Sequence, residues 1–551
     1  MNYSHELFSC EAKYLNARIF QMNKHFLALV LISCCLLSTT YSQTSTADKL
    51  KMTAARMKYN DKDFNGALRI YREEFAKVPD DAMLNYRMGE SHYALKEYEL
   101  ALEKFNKAEQ LNNAVDPDLY LNLGKINQAL ANLDKALEHY EKYRTTALKV
   151  PQLQEINTLI AQVKTAKEML SRPVNVVISN PGTPINSKYN DYHPSLTADQ
   201  KVMVFTSRRG EGKNVGVDVN DQGFYEDVYI TFWNDTIHDW EDATLAPGAI
   251  NGAEHDADLS ISPDGKQIFV YKNENGGDIY VSKKSTSEKW SSAKPLEGVN
   301  STYWESYASL SADGKKLYFC SERKGGQGNG DIWVSDRISK NEWGKPVNLG
   351  AIVNSDDDEI SVFAHPDGKT LFFSSKGHLN MGGYDIFKTV KKEKGEWSQP
   401  ENMGYPINSL GDDIDFVLNT ETGRAYFSSI RPDGEGQFDI YEIDMSNYGL
   451  KTGDVKEKSN LSILKGEVFS AHDAAKLSVT IKITNKNTGK PENEIQSDED
   501  GNYFIMLPGK NSYEITVEHE GYKPYKLSVD LPLGEHEVAT TIKPIVLERN
   551  Q

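Results

Sequence analysis

Polar and apolar positions change rhythm twice along the chain. Over residues 47–170 small and aromatic residues recur with a period near 34: Ala67, Ala101 and Ala136, each followed four residues later by Tyr71, Phe105 and Tyr140. Gly89 and Gly124 repeat in the same way, with Ala55 at the matching place in the first unit. Small residues at fixed points let paired helices approach closely while aromatics fill the space between successive pairs. The segment therefore predicts an array of helical hairpins, with residues 152–170 as a capping helix.

Past Arg172 short runs rich in Val, Ile, Tyr and Phe take over, bounded by Asp-Gly and Gly-Gly turns. Asp-Gly tolerates the positive φ of a tight hairpin. "SPDGKQIFV", "SADGKKLYF" and "HPDGKTLFF", with the weaker "TADQKVMVF" and "TETGRAYF", predict five hairpins. Asp227, Asp278, Asp331, Asp385 and Asp439 each open the next strand, and a residue repeated in every unit suits an architectural role in every unit. Trp240, Trp290, Trp343 and Trp397 mark outer strands. By the same offset "RPVNVVIS", over residues 172–179, reads as an outer strand whose three partners lie near residues 413–443 at the far end. Pairing of residues 174–178 there would close a ring of five sheets and hide its edges. A sixth sheet is the alternative if residues 447–460 contribute strands.

The helical segment resembles tetratricopeptide repeats, three of them, with Pro79 and Pro151 near the unit ends; a generic antiparallel helix array is the alternative. Such repeats imply peptide or protein binding in a concave groove. Residues 172–446 resemble TolB-like β-propellers, whose blades carry the "SPDGK" turn. After a polar linker, 447–460, alternation resumes over residues 461–548, where "SDEDGNYFIMLPG" and "EGYKPY" resemble the carboxypeptidase regulatory-like domain. That resemblance implies a small transthyretin-like β-sandwich without catalytic function. The expected fold class is thus multidomain: a helical array, then a five-bladed propeller, then a sandwich.

Composition bounds the partners. The 551-residue chain is too long for one core. Its net charge of −18 argues against a nucleic-acid backbone as partner, because that contact needs clustered Lys and Arg. Residues 1–42 read as an export signal whose true start is expected at Met22: Lys24 is followed by the apolar run 26–37, and Thr40-Tyr41-Ser42 supplies the small residues of a cut before Gln43. A second reading takes Leu31-Ile32-Ser33-Cys34 as a lipobox with Cys34 acylated. Of four cysteines only Cys320 lies beyond the signal, so neither an internal disulfide nor a CxxC metal site is expected. It reads as a small buried hydrophobe.

One constellation invites chemistry. An Ile/Val-Asn-Ser/Gly triplet in each unit is followed four residues on by an acid: Asp191, Asp256, Glu305, Glu359 and Asp413. Fivefold arrangement would set these in a circle at one channel mouth and favour a cation or basic side chain there. Alternatively, each carboxylate caps loop amides within its own sheet. "DDDE" over residues 356–359 lacks the spaced loop of a calcium site. Neither GxSxG nor HExxH occurs, the 12 His residues are scattered, and no enzyme, metal or cofactor is expected.

The succession of signal, helical repeats, propeller and sandwich resembles PorE-type envelope proteins of the type IX secretion and gliding machinery. The resemblance implies a non-enzymatic periplasmic scaffold against the outer membrane, held by association or a lipid anchor, with envelope or secretion proteins as partners. The OmpA-like domain that grips peptidoglycan in those proteins has no counterpart in this sequence, which puts direct wall binding in doubt. The competing expectation is a sensor that binds a small molecule or glycan at the propeller mouth.

Overall fold

The computed structural model describes residues 46–146, 149–211, 216–218, 223–285, 287–339, 342–418, 423–448, 461–532 and 539–550. The chain forms two compact units, one ending at Asn122 and one beginning at Leu123.

The first unit holds α1 (Thr46–Asn60), α2 (Phe64–Phe75), α3 (Ala82–Ala94) and α4 (Tyr98–Leu111), and the start of α5 (Leu119–Ala129). Each of the first three packs on the next. Asp63 and Asp81 accept hydrogen bonds from the amides of Gly66 and Leu84, satisfying donors that the first helical turn leaves free. Ala55, Ala67, Leu68, Tyr71, Leu84 and Met88 share one core. Gly89 lies against Phe105 so closely that a Cβ would stand 2.8 Å from the ring, which is why that position is small.

The second unit continues with the rest of α5, then α6 (Leu133–Arg144) and α7 (Val150–Ser171). Gly124 repeats the close approach, here to the ring of Tyr140. Among the described residues every element beyond α7 is a strand.

Among the described residues between 177 and 444 the strands form five antiparallel sheets. Their first strands are Asp191–Leu196, Ala257–Ile261, Glu305–Leu310, Glu359–Ala364 and Asp413–Leu418. These contact one another in chain order, and the last returns to the first. The closing strand is Val177–Ser179, which pairs antiparallel with Asp439–Asp444 in the register Val177 to Asp444, Ile178 to Ile443 and Ser179 to Glu442. It starts three residues later than expected because the Val174 amide donates instead to the Tyr405 carbonyl, at 2.6 Å. Val174, Val176 and Ile178 still pack into the apolar cluster around Phe416, Phe427 and Tyr441. Most of the linker that a sixth sheet would need, from residue 449 to 460, lies outside the described residues.

The repeated residues serve each sheet locally. Asp331 accepts from the amides of Gln327 and Gly328, Asp385 from that of Met381, and Asp439 from those of Glu435 and Gly436. The four anchoring tryptophans are buried. Cys320 packs inside the third sheet, where burial pushes its thiol pKa up, consistent with an inert hydrophobic role.

The last module stacks two four-stranded sheets. One holds Asn502–Pro508, Leu461–Ser470, Ala539–Ile542 and Ile545–Leu547; the other holds Lys490–Gln496, Thr480–Asn485, Asn511–Val517 and Tyr525–Leu531. Val468, Ile481, Ile483, Ile505, Tyr513 and Ile515 fill the space between them.

Candidate functional site

The five acids that the sequence singled out all lie at or just before the start of a first strand, and all are fully buried. Their oxygens are occupied within their own sheets. Asp191 accepts from the amide and hydroxyl of Ser187 (2.6 and 2.7 Å) and from Arg209 Nη2 (2.9 Å). Glu305 accepts from Ser301, from Ser321 (2.6 Å) and from Arg323 (3.0 Å). Asp413 accepts from Ser409 (2.6 Å), Ser429 (2.6 Å) and Arg431 (3.2 Å). Asp256 takes the Gly252 amide and Lys272 Nζ, both at 2.5 Å. These groups hold loops to strands, and none of the five is among the residues lining the two cavities described below.

Glu359 departs from the pattern. Ser355 and Ser375 donate to it at 2.5–2.8 Å, yet no cation pairs with it among the described residues. The equivalent arginines also donate to backbone carbonyls, Arg323 to Val299 and Arg431 to Ile407; in this sheet His378 Nε2 meets the Val353 carbonyl instead, at 2.8 Å. The imidazole makes the backbone contact without reaching the carboxylate. Burial, with no cation to oppose it, pushes the Glu359 pKa up to about 7. Its neighbour Asp357 accepts from the Asp358 amide and Asp358 from the Gly330 amide, and no group of three His, Cys, Asp or Glu is placed to hold a metal among the described residues.

A different set occupies the middle of the circle. His193, Tyr307, Ser361 and Asp415 stand third in their strands, at β-bulges, with φ of 60°, 52°, 56° and 61°. Left-handed backbone at four non-glycine residues, each at the same place in its sheet, is a costly local conformation. Their side chains bond across sheets. Ser361 Oγ donates to Asp415 Oδ1 at 2.5 Å, and the His193 amide donates to Ser428 Oγ at 2.9 Å and to Asp415 Oδ2 at 3.2 Å. His193 Nδ1 meets the Asp258 carbonyl, and its Nε2 lies 3.7 Å from Asp415. Asp258, wholly buried, accepts from Ser195 Oγ at 3.0 Å, and its burial raises its pKa well above the ordinary carboxylate range.

This polar waist separates two cavities. On one side Leu196, Leu310, Val362, Ala364 and Leu418 surround a space of about 80 Å³, capped by Met506 from the sandwich. Lys266 pairs with Asp498 at 2.8 Å and Lys315 donates to Asn493 at 2.5 Å, so the sandwich is fastened to the Asp-Gly turns on this side. On the other side a cavity of about 310 Å³ opens between Trp304, Tyr307, Tyr384, Phe438, Glu322, Asp358 and Asp412.

Sequence reasoning missed both the waist and this mouth because it looked for residues that recur. The usable signal was the opposite: the residues two places after the five acids, His193, Asp258, Tyr307, Ser361 and Asp415, are of four different types while the frame around them repeats.

In the first unit a polar cluster joins Tyr86, Asp116 and Asn122: Tyr86 donates to Asp116 at 3.1 Å and accepts from Asn122 at 2.9 Å. Arg87 and Arg56 both pair with Glu90, at 2.7 and 2.9 Å.

Comparison with known proteins follows the modules. Among curated proteins none matches the chain. The chain is similar to the type III secretion chaperone SycD of Yersinia enterocolitica in complex with a peptide of the translocator YopD, at 13% identity and a TM-score of 0.21, over 23% of this chain and 98% of that one. It is similar to the first tetratricopeptide-repeat domain of Spaghetti bound to an HSP90 peptide, at 18% identity and a TM-score of 0.20, over 22% and 95%. It is also similar to putative TolB from Agrobacterium tumefaciens, at 15% identity and a TM-score of 0.30, over 60% of this chain and 98% of that one. By sequence, residues 463–543 match the carboxypeptidase regulatory-like domain.

Proposed function

We propose that the chain is a non-enzymatic scaffold of the cell envelope that joins proteins to one another, in the periplasm against the outer membrane and in type IX secretion or gliding. In this reading the five sheets are the blades of a closed five-bladed propeller. The observation that carries it is the pairing of Val177–Ser179 with Asp439–Asp444, by which a strand from before the first sheet completes the last. A circle of sheets with short, protected edges is a stiff support on which other modules keep fixed positions. The helical hairpins of α1–α7 suit peptide capture, as such arrays do. The export signal and Cys34 belong to this reading as sequence expectations and lie outside the described residues.

A second reading, a sensor for a small molecule or glycan, is favoured by the mouth cavity around Trp304 and Tyr384. Affinity purification of the tagged chain from the cell envelope separates the two. The scaffold predicts outer-membrane or secretion proteins that co-purify in fixed proportion. Recovery of the chain alone, with a small molecule detected by mass spectrometry, would favour the sensor and overturn the scaffold.

A further inference from the structure

The mouth cavity has walls of two kinds. Trp304, Tyr384 and Phe438 offer aromatic surface, Asp358, Asp412 and Glu322 offer carboxylates, and neither Lys nor Arg is among the lining residues. Two of the acids are fixed by backbone donors: the Gly330 amide to Asp358 Oδ1 at 3.2 Å, and the Tyr384 amide to Asp412 Oδ1 at 3.0 Å. The Tyr384 hydroxyl points at the other Asp358 oxygen, 3.4 Å away. The floor is Tyr307, edge-on to Trp304 and to His193 at 5.9 and 5.3 Å between ring centres. Acid character continues beneath it, where Asp415 faces His193 and the buried Asp258 has an oxygen without a hydrogen-bond partner among the described residues.

Flat rings and preset carboxylates around a half-buried space match a planar cation better than a compact one. A guanidinium stacks on aromatic faces, is weakly hydrated, and can donate to two acids at once. A lysine already shows the pull of this wall, since Lys376 Nζ lies 4.0 Å from the centre of the Tyr384 ring. We propose that this mouth binds an arginine side chain presented by a protein partner. The inference deepens the scaffold reading by naming the chemistry of one of its contacts.

The test uses the purified full chain and three blocked tripeptides, Gly-Arg-Gly, Gly-Lys-Gly and Gly-citrulline-Gly, followed by calorimetry. Citrulline keeps the shape of arginine without its charge. Saturable binding of the arginine peptide is expected, about tenfold tighter than the citrulline peptide and weakened about tenfold by Asp358→Asn with Asp412→Asn. Trp304→Ala should weaken it independently, whereas Glu393→Gln with Glu396→Gln, on an exposed loop, should not. Unchanged circular dichroism of each variant guards against misfolding. The proposal is overturned if no saturable binding is found, if citrulline binds equally, if arginine binding survives the mouth substitutions, or if a neutral disaccharide occupies the mouth instead. Envelope proteins that co-purify equally with the Asp358→Asn, Asp412→Asn chain would leave the scaffold standing while this inference falls.

Discussion

Arg323 donates to Glu305 at 3.0 Å, inside the third sheet, with the guanidinium 5.0 Å from the centre of the Phe319 ring and the carboxylate wholly buried. The pair joins the start of the first strand to the loop after the second, and the same device recurs as Arg209 with Asp191 and Arg431 with Asp413. Removing one partner strands a buried charge. Arg323→Met should cost roughly 3–5 kcal/mol, and much of that should return when Glu305→Gln is added. A double-mutant cycle from denaturant midpoints measures it; additive costs would contradict the pairing.

The sheet without the cation should answer to pH in its own way. Glu359 ordinarily titrates near 4.5 and in the fold near 7, so between those values the folded chain holds a proton that the unfolded chain has lost. Stability contributed by the neutral carboxyl is complete below about pH 4.5 and is lost as pH rises through about 7, amounting to a few kcal/mol. Glu359→Gln should remove that part of the slope. Denaturant midpoints at about pH 5 and about pH 8 check it, and parent and variant slopes that coincide would refute it.

Helix contact offers a steric test. A Cβ at Gly124 would lie 2.3 Å from the Tyr140 ring. Gly124→Ala gains about 1 kcal/mol in helix propensity and loses roughly 1–3 kcal/mol to overpacking. A net loss is expected, and Tyr140→Leu on the Gly124→Ala background should turn it toward a gain. Thermal melts followed by helical circular dichroism decide between them.

Closure of the circle can be trapped covalently. Ser179 faces Glu442 across the ladder, and directly opposed residues of antiparallel strands stand roughly 4.5–5.5 Å apart, within reach of a disulfide. Ser179→Cys with Glu442→Cys should cross-link on mild oxidation and run faster on a non-reducing gel. The long loop it closes should raise stability by up to about 5 kcal/mol. Failure to cross-link in the folded chain would mean that the strands are not partners.

Much of the frame was legible because it repeats. The Asp-Gly turns, Asp331 and its counterparts, and the buried tryptophans carry the same local task in each sheet, so each copy supports the reading of the others. The outer strand was visible by counting, yet its start was not, because the Val174 amide is diverted to Tyr405 by a contact far away in sequence. The site was harder. Asp191 and Glu305 stood out as acids, but the arginines that neutralise them lie 18 residues on, and only the hairpin register brings them together. The bulges at His193 and Asp415 were hidden for a related reason: neither "DYHPSL" nor "DIDFVL" carries a glycine at the third residue, where the backbone turns left-handed.

The join at Val177 also determines how the molecule answers tension. Val177 pairs with Asp444, so the chain enters and leaves the circle at the same end of one ladder, and a pull on its two tails opens bonds one after another rather than all at once. Before that ladder feels the load, the tails must be stripped from the neighbouring sheet, where Val174 is held by Tyr405 and Tyr448 by Met403. Those two latches act as the strain relief of the ring, and their rupture force sets the load above which the circle unzips.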